Sequence, residues 1–107
     1  MSTELAWCAG FIDGEGTFGI QRQKGRKSEI PYIQAGQVDR RVLDRFRSAV
    51  GVGKVYGPYA PRHPGHSPYC YYRATGAEPT RQVYELLAPY LSEAKQEQAE
   101  KALKETN

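Results

Sequence analysis

Asp13 and Glu15 stand two residues apart in Cys8-Ala9-Gly10-Phe11-Ile12-Asp13-Gly14-Glu15-Gly16, at the end of a stretch in which Leu5, Ala6, Trp7, Cys8, Ala9, Phe11 and Ile12 are apolar or small. A carboxylate carried on the end of an apolar helix must meet a cation, or lose roughly several kcal/mol of hydration per ion. The residues themselves leave the identity of that cation open. A second group is made of Gln21, Gln23, Gln34 and Arg73, whose side chains are of the types that make bidentate contacts to base edges. His63 and His66, three apart in a proline-rich stretch, have a spacing that can hold a metal. With no acidic partner close by, they read as loop residues.

These residues need elements to position them. Ser2 or Thr3 can cap a helix that runs to about Asp13, with Glu4 in its first turn and Gly14 and Gly16 as its stop. From Thr17 to Gln23 the chain alternates. Phe18 and Ile20 point to one side, and Thr17, Gly19, Gln21 and Gln23 to the other. Lys24-Gly25-Arg26-Lys27-Ser28 reads as a basic hairpin loop, and residues 30–37 as the returning strand, with Pro31 near its start. Ile33 and Ala35 face the core there, and Tyr32 and Gln34 face away.

Asp39 caps a helix with the stripe Val42, Leu43, Phe46, Ala49 and Val50, ended by Gly51 and Gly53. Lys54-Val55-Tyr56 starts a third strand, residues 57–68 form a long loop with four prolines, and Tyr69 to Thr75 is a fourth strand. A helix from Glu78 to about Ala88 is broken by Pro89, and a last helix runs from about Ser92 to Lys104, laced by acid–lysine spacings. The order α-β-β-α-β-β-α-α predicts an α+β fold, with an antiparallel four-stranded sheet covered by helices on one face. Its open face would carry Gln21, Gln23, Tyr32, Gln34, Tyr56, Tyr71 and Arg73, which is either a solvated surface or a surface for nucleic acid.

At 107 residues the chain reads as one domain, 1–107, and 39% hydrophobic with 25% charged residues is a globular composition. No apolar run is long enough to span a membrane, and no signal-peptide layout opens the chain, so an intracellular, non-membrane protein is expected. Cys8 and Cys70 lack metal spacing and read as reduced core thiols, with Trp7 also in the core. The net charge of +3 is uneven: residues 1–81 carry 12 Lys and Arg against 7 Asp and Glu, and the remainder carries 3 against 5. The basic surplus lies with the predicted strands and loops, which suits a polyanion partner.

The opening stretch resembles the LAGLIDADG motif of homing endonucleases and related intron-encoded proteins. Ala9, Gly10, Ile12, Asp13 and Gly16 match as they stand, Phe11 and Gly14 are common variants, Glu15 takes the acidic eighth place, and Cys8 replaces the usual leucine. The element order is that of the family's core, a saddle-shaped sheet under helices. "GVGKV" after the second helix and "LSEAKQEQA" near the C-terminus also look like family features.

The resemblance implies an assembly, a metal site and a DNA surface. The motif helix would pack against its copy in a second chain, through Ala6, Gly10, Asp13 and Gly14, so one motif per chain implies a homodimer. Glu15 would be a ligand of Mg²⁺, or of Mn²⁺ or Ca²⁺ in its place, with Gly14 lending a carbonyl. Gln37 and Lys95 would join Glu15 as catalytic residues around the water and the scissile phosphate, and Arg40 or Arg41 would add a cation at the site or hold phosphate. The DNA surface would comprise Gln21, Arg22, Gln23, Lys24, Arg26, Lys27, Tyr32, Gln34, Arg40, Arg41, Lys54, Tyr56, Tyr71 and Arg73. The implied activity is site-specific, metal-dependent hydrolysis of double-stranded DNA at a roughly palindromic site. A non-cleaving nucleic-acid binder of the same fold, such as a splicing maturase, and an unrelated small α+β binding domain are the competing readings.

Overall fold

The structure, a computed structural model, describes residues 2–22, 25, 29–61 and 63–105. The elements run α1 (Thr3–Glu15), β1 (Gly16–Arg22), β2 (Glu29–Gln37), α2 (Arg40–Val50), β3 (Lys54–Tyr59), β4 (Tyr69–Thr75), α3 (Ala77–Leu87), a 3-10 turn (Ala88–Tyr90) and α4 (Glu93–Glu105). The four strands form one antiparallel sheet in the order β1-β2-β4-β3. The fold is α+β as predicted.

Pleating sorts the strand residues. Phe18, Ile33, Ala35, Cys70, Tyr72 and Ala74 are buried under the helices, against Cys8, Ala9 and Ile12 of α1, Leu43 and Phe46 of α2, and Val83 and Leu87 of α3. Phe46 meets Tyr72 edge-on at 4.8 Å between ring centroids, and the Tyr72 hydroxyl donates to the Val52 carbonyl at 2.8 Å. The cysteines are free and buried. Trp7 departs from expectation. It is only half-buried, stacked on Phe11 at 5.7 Å, with the Arg45 guanidinium 3.7 Å over its ring. Arg45 in turn grips both oxygens of Glu4, at 2.8 and 2.7 Å, which holds the Glu4 carboxyl below the usual carboxylate range.

Three boundaries differ from the sequence reading. Helix α1 does not stop at Asp13 but continues through Gly14 to Glu15. Gly14 carries ordinary helical backbone, and the chain turns out at Gly16, whose N–H closes on the Ile12 carbonyl. A glycine is needed at that turn, because a Cβ on Gly16 would fall 2.7 Å from the Ile12 side chain. Strand β2 starts at Glu29, and Pro31 is buried inside it. Strand β3 extends through Gly57 and Pro58 to Tyr59, which shortens the predicted loop. Proline is tolerated because β3 is a sheet edge, where one side of the strand has no ladder.

Both edges are finished by side chains from helices. On β1, the Phe18 N–H donates to Gln98 Oε1 at 2.9 Å, and the Gly16 carbonyl accepts from Lys95 Nζ at 2.7 Å. On β3, the Val55 and Gly57 carbonyls accept from the Arg40 guanidinium. Among the described residues, no helix is long and apolar enough to cross a membrane.

Candidate nucleic-acid interface and acidic centre

Helix α1 has one face against the core and one facing away. Ala6, Gly10, Asp13 and Gly14 share the outer face, and all four are exposed. A Cβ built on Gly10 or Gly14 would meet nothing within 4 Å. The face is therefore smooth and uncovered by the described residues.

Its C-terminal end gathers charge. Two carboxylates there oppose the usual preference, since a helix C-terminus carries partial negative charge and favours cations by about 0.3–1 kcal/mol each. Helix α1 has no basic residue in its last turn. The compensation comes from 79 residues away in sequence. Asp13 accepts from the Ser92 N–H at 3.2 Å and from the Ser92 hydroxyl at 2.9 Å, while that hydroxyl accepts from the Lys95 N–H at 3.3 Å as the cap of α4. Lys95 Nζ reaches both the Gly16 carbonyl and Gln98 Oε1. Asp13 is thus a helix-end acceptor, the simpler of the roles open to it. Glu15 is exposed, with no hydrogen-bond or ion-pair partner among the described residues.

Of the residues grouped with Glu15 in sequence, Lys95 reaches the carbonyl of Gly16, the next residue along the chain. Gln37 sits at the same end of the sheet, since β2 pairs Ala35 with Gly16 and ends two residues on. Its Oε1 accepts from the neighbouring Val38 N–H at 2.8 Å, so its amide is turned along its own strand. Arg40 is committed to the β3 carbonyls and lies 3.6 Å from Asp44, and Arg41 is paired with Asp39 at 2.8 Å. Among the described residues neither is paired with Asp13 or Glu15. A single carboxylate, with the Gly14 carbonyl, is a fitting but incomplete oxygen set for Mg²⁺, and no group of three or more His, Cys, Asp or Glu residues stands together among the described residues.

The sheet's outer face collects the other set. Gln21, Tyr32, Gln34, Tyr56, Tyr71 and Arg73 are half-buried there, with Lys54 exposed opposite Arg73. Arg73 donates to Gln34 Oε1, Gln21 Oε1 and, at 3.2 Å, Thr75 Oγ1, and lies 4.1 Å over the Tyr32 ring. Beside this network runs a tyrosine ladder, with Tyr56 stacked on Tyr71 at 4.8 Å and Tyr71 on Tyr59 at 5.9 Å. Tyr59 was hidden from sequence reading by its assignment to the loop. Arg22 falls on the helix side of the pleat with Phe18 and Ile20, bound to Glu29 at 2.7 Å. Gln23, Lys24, Arg26 and Lys27 lie outside the described residues. His63 and His66 meet edge-on at 5.4 Å in the β3–β4 loop, without a third ligand among the described residues.

No protein-family model and no curated protein matches this sequence. Solved structures do match in fold, and they are LAGLIDADG homing endonucleases. I-CvuI in complex with its target in the presence of 2 mM Ca superposes with a TM-score of 0.72 at 23% identity, covering 94% of this chain and 64% of that one. I-TnaI gives 0.72 at 24% identity over 97% of this chain and 71% of its own. The meganuclease I-AabMI bound to uncleaved DNA gives 0.66 at 27% identity, with 89% of this chain covering 33% of that one. The chain therefore has the LAGLIDADG fold, and it spans less than two thirds of the I-CvuI chain.

Proposed function

We propose that residues 1–107 form one domain of a site-specific endonuclease that acts on double-stranded DNA, with a divalent metal, as a homodimer on a roughly palindromic target. The observation that carries this reading is the outer face of α1. Ala6, Gly10 and Gly14 are exposed along it, a Cβ on either glycine would meet nothing within 4 Å, and it ends in the carboxylate of Glu15, which has no partner among the described residues. A C2 seam along that face would bring two Glu15 side chains to one end of the paired helices. Two close carboxylates favour a bound cation over joint ionisation in isolation. The fold's solved neighbours support the nucleic-acid part, since I-CvuI and the archaeal I-Vdi141I are complexes with DNA.

Glu15 and the Gly14 carbonyl would hold Mg²⁺, or Mn²⁺ or Ca²⁺ in its place, and the ion would supply charge stabilisation and an activated water for phosphodiester hydrolysis. Around it, Lys95 places a cation at the α1–β1 turn, held there by Gly16 and Gln98. Gln37 lends a polar group at the same end of the sheet. Lys54, Arg40, Arg41 and the basic hairpin would meet phosphates, and the outer sheet face would meet bases.

A non-cleaving binder is the second reading, favoured by one observation. Lys95, Gln37, Arg40 and Arg41 are all engaged in internal hydrogen bonds. The test is selection from a randomised duplex pool followed by incubation with Mg²⁺. We expect binding that weakens steeply with salt, by about 0.9 in log–log slope per phosphate contact. Double-strand cleavage should appear with Mg²⁺ and vanish in chelator. Binding without cleavage of any selected duplex would favour the second reading. Salt-independent binding would exclude both.

A further inference from the structure

Gln21, Gln34 and Arg73 come from three different strands, yet meet on the outer sheet face. The register sets Gln34 directly opposite Arg73, whose guanidinium lies over Tyr32 and reaches along the face to Gln21, four residues beyond Gln34's partner on β1. Each of the three guanidinium nitrogens of Arg73 has an acceptor: Nη1 donates to Gln34 Oε1, Nη2 to Gln21 Oε1, and Nε to Thr75 Oγ1. The group is held from below by Tyr32, whose ring lies over Gly19, where a Cβ would fall 2.6 Å from the Tyr32 hydroxyl. A side chain at position 19 would displace the ring and with it the seat of Arg73.

Arginine carries only donors, so the orientation of both amides is chemically fixed. The Oε1 atoms face Arg73 and the NH₂ groups face away. A glutamine grips adenine by accepting from N6 and donating to N7 at once. Here the accepting half of each amide is occupied. The second lone pair of each oxygen lies beside a full positive charge, which repels the amino hydrogens of adenine and cytosine. What remains for a ligand is a pair of donors, and guanine is the base whose major-groove edge offers two acceptors, N7 and O6.

Resting on the DNA-binding reading above, we infer that Arg73 orients rather than reads, and that Gln21 and Gln34 act as donor-only readers that select guanine over adenine where they touch the duplex. The three side chains form a specificity unit, and the arginine sets its polarity.

The test is selection from a randomised duplex pool with the parent chain, Gln21→Leu, Gln34→Leu and Arg73→Met, each checked for unaltered thermal unfolding. The two leucine variants mark the positions that depend on each glutamine. The parent should prefer guanine there by about tenfold or more, as expected of a good base contact. Arg73→Met frees both amide oxygens, so the preference at those same positions should shift towards adenine. Loss of preference at one position with no gain of adenine would mean that Arg73 reads the base itself, and would overturn the inference. A parent preference for adenine or cytosine at the Gln34-dependent position would overturn it too. If Arg73→Met does not fold, that position in the parent decides alone. If the parent enriches no duplex, the DNA-binding reading fails and this inference with it. If it enriches a site without guanine there, only this inference fails.

Discussion

The outer face of α1 and the outer face of the sheet are both exposed, and they are built in opposite ways. On α1 the residues are small, and Glu15 has no partner among the described residues. On the sheet, Arg73, Gln21, Gln34 and Tyr32 are bound to one another before any ligand arrives. The helix face is unfinished within one chain, whereas the sheet face is pre-organised within it. Self-association therefore fits the first and recognition of a separate molecule the second, because a surface that is already ordered loses less entropy on binding.

The comparison can be broken most sharply at Glu15. Glu15→Gln keeps the shape and removes the charge, so cleavage of a selected duplex should fall by about two or more orders of magnitude, while duplex affinity stays within a few-fold. Unchanged cleavage, measured by product formation over time, would leave the acidic centre without a role. Next comes Gly10→Leu. The chain has room for the new side chain, so the fold should survive, but a second copy could no longer approach, and the stability that association lends would be lost. Sedimentation should show a dimer for the parent and a monomer for the variant. A parent that stays monomeric at micromolar concentration would remove the distinction between the faces.

Smaller effects sharpen it. Gly16→Ala places a methyl against Ile12 and should lower the unfolding free energy by about 1–3 kcal/mol in urea titration through strain within one chain, whereas Gly10→Leu acts between chains. A pH effect should come from the core beneath α1. Burial, with help from nearby Glu4, raises the Cys8 thiol from 9.0 to about 11. The folded state then holds a proton that the unfolded state releases first, so stability is intact below pH 9 and declines between pH 9 and 11. Cys8→Ala should flatten that part of the decline, read from urea midpoints. Glu4→Gln, which loosens an exposed and solvent-screened pair with Arg45, should move the urea midpoint least of all.

The alternation of β4 was legible to the residue, because Tyr69 to Thr75 switches faces without a break between turn-forming neighbours. The capping of α2 by Asp39 was equally plain. The end of α1 was not. Glycine at position 14 is a helix stop only if the backbone leaves helical space there, and what decides the turn is the contact between Gly16 and Ile12, which spacing does not reveal. The proline at 58 hid the second half of β3, since its tolerance depends on the strand being an edge. At the candidate site, the residue types were readable and their partners were not. Ser92 on Asp13, Lys95 on Gly16 and Arg73 between two glutamines all depend on strand register or on elements far apart in sequence. Arg22 differs, because the alternation of Phe18 and Ile20 already puts it on the helix side, and only its ion pair with Glu29 needed the register.

Lys95 and Gln98 occupy the Gly16 carbonyl and the Phe18 N–H on β1, and Arg40 the Val55 and Gly57 carbonyls on β3, each strand being an edge of the sheet. They act as gatekeepers against strand recruitment, whatever else they do. Alanine at Lys95, Gln98 and Arg40 together would free those groups on both edges of the sheet. Such a molecule has complementary docking edges pointing in opposite directions, a geometry that propagates head to tail into fibres and does not close into a pair. Turbidity and fibril-dye binding by the triple variant, absent from the parent, would reveal it, and an activity loss in that variant would then report polymerisation as much as chemistry.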